Sequence, residues 1–104
     1  MAHSAVALDD VIHQRVRLGI LGVLMETKRA DFRFPKDTLE LTDGNLSRYL
    51  QVLDEAGYVT IDKRIEGRRP RTWVSPTALG RDAFTAEIHA LKVIIGRFER
   101  NGSR

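Results

Sequence analysis

Nine consecutive residues, 63–71 (KRIEGRRPR), contain five basic side chains and one acidic side chain, a local charge of +4. The whole chain of 104 residues has a net charge of +3, from 17 Lys and Arg against 14 Asp and Glu. The other 95 residues therefore sum to −1, so the surplus positive charge is confined to one segment. A charged run is often an ordinary solvated turn, but this concentration indicates a localised contact with a large anion. The candidate contacts are Lys63, Arg64, Arg68, Arg69 and Arg71.

A second set of polar residues precedes this segment, on a helix predicted over 42–56. The apolar residues Leu46, Leu50 and Leu53 recur at i, i+4 and i+7, which is typical of a helix with one buried face. Thr42 is a good N-cap for this helix. The opposite face is rich in hydrogen-bonding groups that suit base edges and phosphate oxygens. The candidate contacts here are Thr42, Asn45, Ser47, Arg48 and Gln51.

Hydrophobic periodicity, caps and turn residues predict the elements that position these two sets. The strand pattern around the basic segment is that of a hairpin, and two strands alone are marginal, so the hairpin must pack on the helices or on another strand. In chain order we expect a helix over 9–28, a very short strand over 31–34, a helix over 36–41 opened by Pro35, the helix over 42–56 closed by Gly57, strands over 59–65 and 71–75 joined by a turn at 67–70, and a helix over 78–100 capped by Thr77.

The last predicted helix carries apolar residues at alternating spacings of four and three. These residues are Phe84, Ile88, Leu91, Ile95 and Phe98. Such spacing is a coiled-coil seam, and a helix of about 23 residues is about 34 Å long, more than a small core can cover. We therefore predict a dimer interface formed by Ile88, Leu91, Ile95 and Phe98. The alternative for Phe84 and Ile88 is that they cover the core of their own chain.

The order of the elements defines the expected fold. Two helices joined by a tight turn and followed by a basic hairpin predict a winged helix-turn-helix. The fold class is α+β, mostly α, with a three-helix core, a small β-hairpin wing and a long C-terminal helix. We expect residues 1–8 to be a flexible N-terminus and residues 9–104 to form one DNA-binding domain, in which 78–100 is the dimerisation helix.

Two stretches, LTDGNLSRYLQVLDEAGYV and KRIEGRRPRTWVSPTALGR, resemble stand-alone winged-helix transcriptional regulators related to the MarR and ArsR types. The resemblance covers residues 11–98 and is strongest over 41–81. It implies a homodimeric transcription factor that binds a pseudo-palindromic double-stranded DNA operator, with recognition helix 42–56 and wing 63–71. Ala78 and Leu79 depart from the resemblance, because acidic residues are expected after the cap.

Other chemistries find little support in the sequence. The chain has no cysteine, and it contains no nucleophile motif and no phosphate-binding glycine loop, so we expect no enzyme and no cofactor. His3, His13 and His89 are scattered, which does not predict a metal site. Asp54 and Glu55 are adjacent on a helix and point in different directions. No signal peptide and no membrane span are evident, so we expect a cytoplasmic protein.

Two functions besides DNA binding stay open. A winged helix can be a protein-interaction module that does not bind DNA, although the concentrated charge is unusual for such a surface. RNA binding is disfavoured because the basic segment lacks exposed aromatic residues. Nothing in the sequence identifies an effector, the operator sequence, or the direction of regulation.

Overall fold

The computed structural model describes residue 12 and residues 14–102. The predicted flexible segment 1–8 lies outside the described residues, as do residues 9–11 and His13 of the predicted first helix. The elements are α1 (Arg15–Thr27), β1 (Ala30–Asp31), α2 (Arg33–Thr38), α3 (Asp43–Glu55), β2 (Val59–Glu66), β3 (Arg69–Pro76) and α4 (Ala78–Gly102). This order confirms the predicted winged helix-turn-helix with its long C-terminal helix.

The three strands form one antiparallel sheet in the order β1-β3-β2. Pairing of β2 with β3 runs from Val59↔Pro76 to Glu66↔Arg69, whereas β1 pairs with β3 only through Ala30↔Val74 and Asp31↔Trp73. The core lies between the sheet and the first three helices. Its fully buried side chains include Ile20, Leu21, Leu24, Leu46, Leu53 and Val74.

The first helix begins at Arg15, not near residue 9. Gln14 is extended (φ −125°, ψ 126°), and its side-chain Oε1 accepts hydrogen bonds from the backbone N–H groups of Val16 and Arg17. A side chain that binds these otherwise unpaired N–H groups is an N-cap. The helix therefore starts after Gln14.

The segment that follows was predicted incorrectly in part. The predicted short strand is present but shifted, since β1 is Ala30–Asp31. Residues 32–34 are not in the strand, because the Asp31 carboxylate accepts a hydrogen bond from the Arg33 backbone N–H (3.0 Å) and the chain turns into α2 there. Pro35 lies in the first turn of α2, where its missing N–H costs nothing. The helix ends at Thr38 instead of residue 41, since Glu40 takes a left-handed conformation (φ 55°).

The hairpin is longer than predicted and its turn is tighter. Only Gly67 and Arg68 form the turn, and both Arg69 and Pro70 belong to β3. Gly67 has φ 65°, as the first residue of a type II′ hairpin turn requires. Ile65 is 79% exposed because the hairpin extends beyond the body of the protein.

A close contact fixes the start of α4 against the end of α3. Thr77 caps α4 as predicted, since its Oγ1 accepts from the Gly80 N–H (2.9 Å) and donates to the Gly57 carbonyl (2.6 Å). A Cβ at Gly80 would collide with the Tyr58 carbonyl, so only glycine fits there. These contacts set the direction in which α4 leaves the domain.

Candidate nucleic-acid interface

The α3 helix separates its residues as the sequence predicts. Leu46, Leu50 and Leu53 are buried, while the four polar residues of the opposite face are exposed. These are Asn45, Ser47, Arg48 and Gln51. Thr42 is the observed N-cap, because its hydroxyl oxygen accepts a hydrogen bond from the Asn45 backbone N–H (3.2 Å). The α3 helix thus presents one continuous polar face to solvent.

Two side-chain hydrogen bonds organise this face. Arg48 Nη2 donates to Asn45 Oδ1 at 3.1 Å, and Gln51 Nε2 donates to Glu55 Oε1 at 3.3 Å. Both bonds are exposed, so their donors can exchange these partners for groups on a bound molecule at little cost. The pattern of a guanidinium and amides on one face suits the edges of bases in a major groove.

An ion pair joins α2 to the beginning of α3. Lys36 Nζ lies 2.8 Å from Asp43 Oδ1, and Asp43 raises the pKa of Lys36 through this hydrogen bond and its negative charge. Both groups reach solvent, so the pair contributes only modestly to stability. The pair links the two helices across the turn between them.

The structure brings the polar face of α3 and the hairpin together around a cleft. The cleft has a volume of about 420 Å³. Its lining residues are Phe32, Ser47, Leu50, Gln51, Asp54, Ile61, Lys63 and Thr72. Lys63 from β2 therefore lies beside Ser47 and Gln51 from α3, and one ligand surface can meet residues of both predicted sets.

The tip of the hairpin carries two arginines that have no acidic partner among the residues that the structure describes. Arg68 and Arg69 are exposed. Within residue 12 and residues 14–102, neither of them forms an ion pair, and the same holds for Lys63. Since no carboxylate of the described residues pairs with these three charges, they are available to an external anion.

Arg71, at the base of the hairpin, has a different environment from the tip. Its Nε donates to Asp31 Oδ2 (2.8 Å) and its Nη1 donates to Glu66 Oε2 (3.2 Å). Hydrogen bonding to Asp31, followed by that to Glu66, raises the pKa of Arg71. The structure thus places this predicted DNA contact inside an internal network. Arg64 is also paired, with Asp62 Oδ2 at 2.7 Å.

Trp73 lies at the centre of the same network. Its Nε1–H donates to Glu66 Oε1 (2.8 Å), and the guanidinium carbons of Arg29 and Arg71 lie 4.0 and 4.7 Å from the ring centroid. The indole hydrogen bond is the main cause of the lowered pKa of Glu66. Arg29, Asp31 and Glu66 were not predicted as site residues. The alternation of Arg69, Arg71 and Trp73 along one strand was an available signal that these side chains share a face.

The α4 helix leaves apolar side chains uncovered towards its C-terminal end. Its 25 residues span about 38 Å at 1.5 Å per residue, more than the two shorter dimensions of the molecule, 24 and 21 Å. Phe84 packs on the core, and Ile88 and Leu91 are half-buried. Ile95 and Phe98 are 52% and 74% exposed.

Comparison with known proteins decides the family. A family model described as a winged helix DNA-binding domain matches residues 16–95, more than half of the chain. The chain belongs to this winged helix family. The match includes α3, the wing and most of α4. The predicted relationship to winged-helix transcriptional regulators is thereby confirmed.

Individual relatives agree with this assignment. The chain is similar to an uncharacterized protein of Methanocaldococcus jannaschii, with 35% identity over 81 residues that cover 78% of this chain and 88% of the relative. It is also similar to the structure of a transcriptional regulator homologue from Pyrococcus horikoshii OT3, with a TM-score of 0.80, 34% identity, and coverage of 85% of this chain and 87% of that one. A MarR family regulator from Rhodococcus sp. RHA1 shares the fold, with a TM-score of 0.66, 17% identity, and coverage of 91% and 69%. These relatives agree with the winged helix DNA-binding family, and the solved structures among them, which are regulators, share the fold of this chain.

No helix of residues 14–102 is long and apolar enough to cross a membrane. Within the described part of the chain, no group of three or more His, Asp or Glu side chains is arranged to hold a metal ion.

Proposed function

We propose that this winged helix protein is a homodimeric, sequence-specific regulator of transcription that binds a pseudo-palindromic DNA duplex. One observation carries the proposal. Lys63, Arg68 and Arg69 have no acidic partner within the described residues, and Lys63 shares a cleft with the polar face of α3. Lys63 therefore places positive charge beside the polar face of α3, and Arg68 and Arg69 add positive charge at the tip of the same hairpin.

The two parts of this surface have separate tasks. The α3 helix enters the major groove, where Arg48 contacts base edges together with Asn45, Ser47 and Gln51. Thr42 caps this helix and lies at the end that points towards the duplex. The wing holds the phosphate backbone beside the groove through Lys63, Arg68 and Arg69, with Arg64 in support. Phosphate contacts position the protein, and base contacts select the sequence.

The proposed dimer places a second copy on the exposed apolar part of α4. Ile95 and Phe98 are largely exposed in the single chain, next to half-buried Ile88 and Leu91. An isologous dimer buries these side chains twice and presents two α3 helices to successive major grooves, about 34 Å apart. The operator is expected to be an inverted repeat for the same reason. A regulator of this kind is expected to act in the cytoplasm and to have no catalytic activity.

The test is fluorescence-anisotropy binding to a random duplex pool across a salt series, followed by sequencing of the bound fraction. Three unpaired basic residues per wing give six in a dimer, so we expect a log–log salt slope of about −5 on the rule of about −0.9 per phosphate. The bound fraction should be enriched in an inverted repeat.

Replacing Arg48 with alanine should change the enriched sequence while leaving the salt slope at about −5, because Arg48 contacts base edges and is not one of the six basic residues counted for phosphate. Absence of binding at low salt, with binding to a protein partner instead, would support an interaction module and exclude the proposed function. Equal affinity for duplex RNA would exclude DNA-specific recognition.

A further inference from the structure

Within the described part of the chain, no third strand supports the outer part of the hairpin. Pairing with β1 ends at Asp31↔Trp73, and one further bond runs from the Phe32 N–H to the Thr72 carbonyl (2.9 Å). From Arg64↔Arg71 to the turn, β2 and β3 pair only with each other. A two-stranded ribbon is marginally stable and twists easily. Side chains must therefore set the direction of the wing.

The register divides the wing into two faces. Residues directly opposite each other in an antiparallel pair lie on the same side of the sheet, and the sides alternate along each strand. One face contains Lys63 and Thr72, which line the cleft beside α3. The other, which we call the outer face, contains the cross-strand pairs Asp62↔Trp73, Arg64↔Arg71 and Glu66↔Arg69.

Contacts on the outer face connect the wing to the body of the protein. Arg71 reaches Asp31 on β1, and Trp73 lies under the guanidinium of Arg29, which follows α1. Glu66, next to the turn, uses one carboxylate oxygen for Trp73 and the other for Arg71. Both oxygens of Asp31 are also used, by the Arg33 N–H and by Arg71. We refer to Arg29, Asp31, Glu66, Arg71 and Trp73 as the Trp73 cluster.

We propose that the Trp73 cluster orients the wing against the domain, so that Arg71 and Glu66 are positioning residues for DNA binding and not phosphate contacts. This inference rests on the proposed function. It assigns a role to Trp73 and Glu66, and it separates Arg71 from the basic residues at the tip.

The charge of the cluster allows a test, because the two possible roles of Glu66 predict opposite changes in DNA affinity when Glu66 is removed. Two arginines and two carboxylates sum to zero, so the cluster as a whole adds no attraction for a polyanion. Glu66 taken alone repels DNA. If charge were its only contribution, its removal would tighten binding. If it orients the wing, its removal weakens binding, because a smaller fraction of the protein then has the wing in place.

The experiment compares Glu66→Ala with Asp62→Ala in the full chain. Asp62 is a matched control, because it lies on the same outer face, accepts a hydrogen bond from Arg64, and has a side-chain exposure of 42% against 38% for Glu66. For Glu66→Ala we expect about tenfold weaker binding, if the competent fraction falls to about a tenth, with an unchanged salt slope. For Asp62→Ala we expect equal or tighter binding. Tighter binding by both variants, or a flatter salt slope in Glu66→Ala, would overturn the inference.

A measurement without DNA separates this inference from the proposed function. Hydrogen exchange of the backbone amides in residues 63–72 should be faster in Glu66→Ala than in the wild type, and unchanged in Asp62→Ala, with equal helix content by circular dichroism. If the wild type fails to bind duplex DNA while this exchange result is obtained, the proposed function is wrong and the cluster still orients the wing. Unchanged exchange in Glu66→Ala would show that the cluster does not fix the wing.

Discussion

The tip and the base of the wing contain the same type of residue in opposite surroundings. Arg68 and Arg69 at the tip are exposed and have no acidic partner among the described residues. Arg71, two positions further along β3, forms ion pairs with Asp31 and Glu66 and lies against Trp73. All three belong to the run GRRPR, and the sequence alone treats them alike.

The difference shows what a count of charges leaves out. The local charge of +4 over residues 63–71 suggests five basic contacts for an anion. Two of these residues, Arg64 and Arg71, are satisfied by carboxylates of the same chain. The type of a residue decides which ligands its side chain is able to bind. Its partners within the chain decide whether it is available to bind an external ligand.

The largest expected effect comes from the tip. Replacing both Arg68 and Arg69 with alanine removes four phosphate contacts from a dimer, so the salt slope should become less steep by about 3.6. Affinity near physiological salt should fall on the order of a hundredfold or more, for all duplex sequences alike. Anisotropy titrations with the selected operator and with a scrambled duplex measure both quantities.

The control for this double variant is protein stability. Both side chains are exposed, and their removal should change the free energy of unfolding by no more than about 0.5 kcal/mol. A salt slope equal to that of the wild type would mean that the tip does not contact phosphates. The difference in pairing between the arginines of the tip and Arg71 at the base would then have no consequence for DNA binding.

A smaller effect is expected at the base, from Arg71→Lys compared with Arg71→Ala. Lysine keeps the charge but lacks the planar fork that reaches Asp31 and Glu66 at once. If Arg71 orients the wing, both variants should bind about tenfold more weakly, because the wing is then in place in a smaller fraction of molecules. A phosphate contact predicts a different result, with affinity largely kept by lysine and lost only with alanine.

The elements that local signals define were predicted well. Helix α3 was predicted from its Thr42 cap and its leucine spacing, and the structure confirms the cap and all three buried leucines. Thr77 likewise marks the start of α4. In each case the cap and the first turn are neighbours in sequence, so their interaction is visible in the residue order.

The segment between α1 and α3 was predicted less well because its signals compete. Four residues of alternating pattern, DFRF, are too few to decide between a strand and a helix start. Asp31 decides this locally, by accepting from the Arg33 N–H, and also binds Arg71, forty residues away. The Trp73 cluster combines Arg29, which follows α1, with residues of all three strands. Which residues belong to it, and that Arg71 is paired with carboxylates, can therefore be seen only once the strands are in register.

The smallest expected effect is a change in the fluorescence of Trp73 at low pH. It reports on the base of the wing alone and needs no DNA. The charged groups that face Trp73 are Arg29, Asp31, Asp62, Glu66 and Arg71. The pKa of Glu66 is lowered by the Trp73 indole and by Arg71, and that of Asp31 by the Arg33 N–H and by Arg71. A carboxylate with a lowered pKa in the folded state stabilises the cluster fully above its unfolded pKa, near 4. This contribution is lost as the pH falls through the lower, folded value.

Trp73 is the one tryptophan of the chain, so its fluorescence reports on the cluster directly. We expect constant emission from pH 7 to about 4, followed by a change at lower pH. Glu66→Gln removes one of the titrating groups while its amide oxygen still accepts the indole N–H, so the change should be smaller in this variant. A transition centred above pH 5 would contradict the lowered pKa values of both carboxylates. It would also mean that the contacts of Arg71 with Asp31 and Glu66 are weaker in solution than their distances indicate. Arg71 would then be available to an external anion, as the arginines of the tip are.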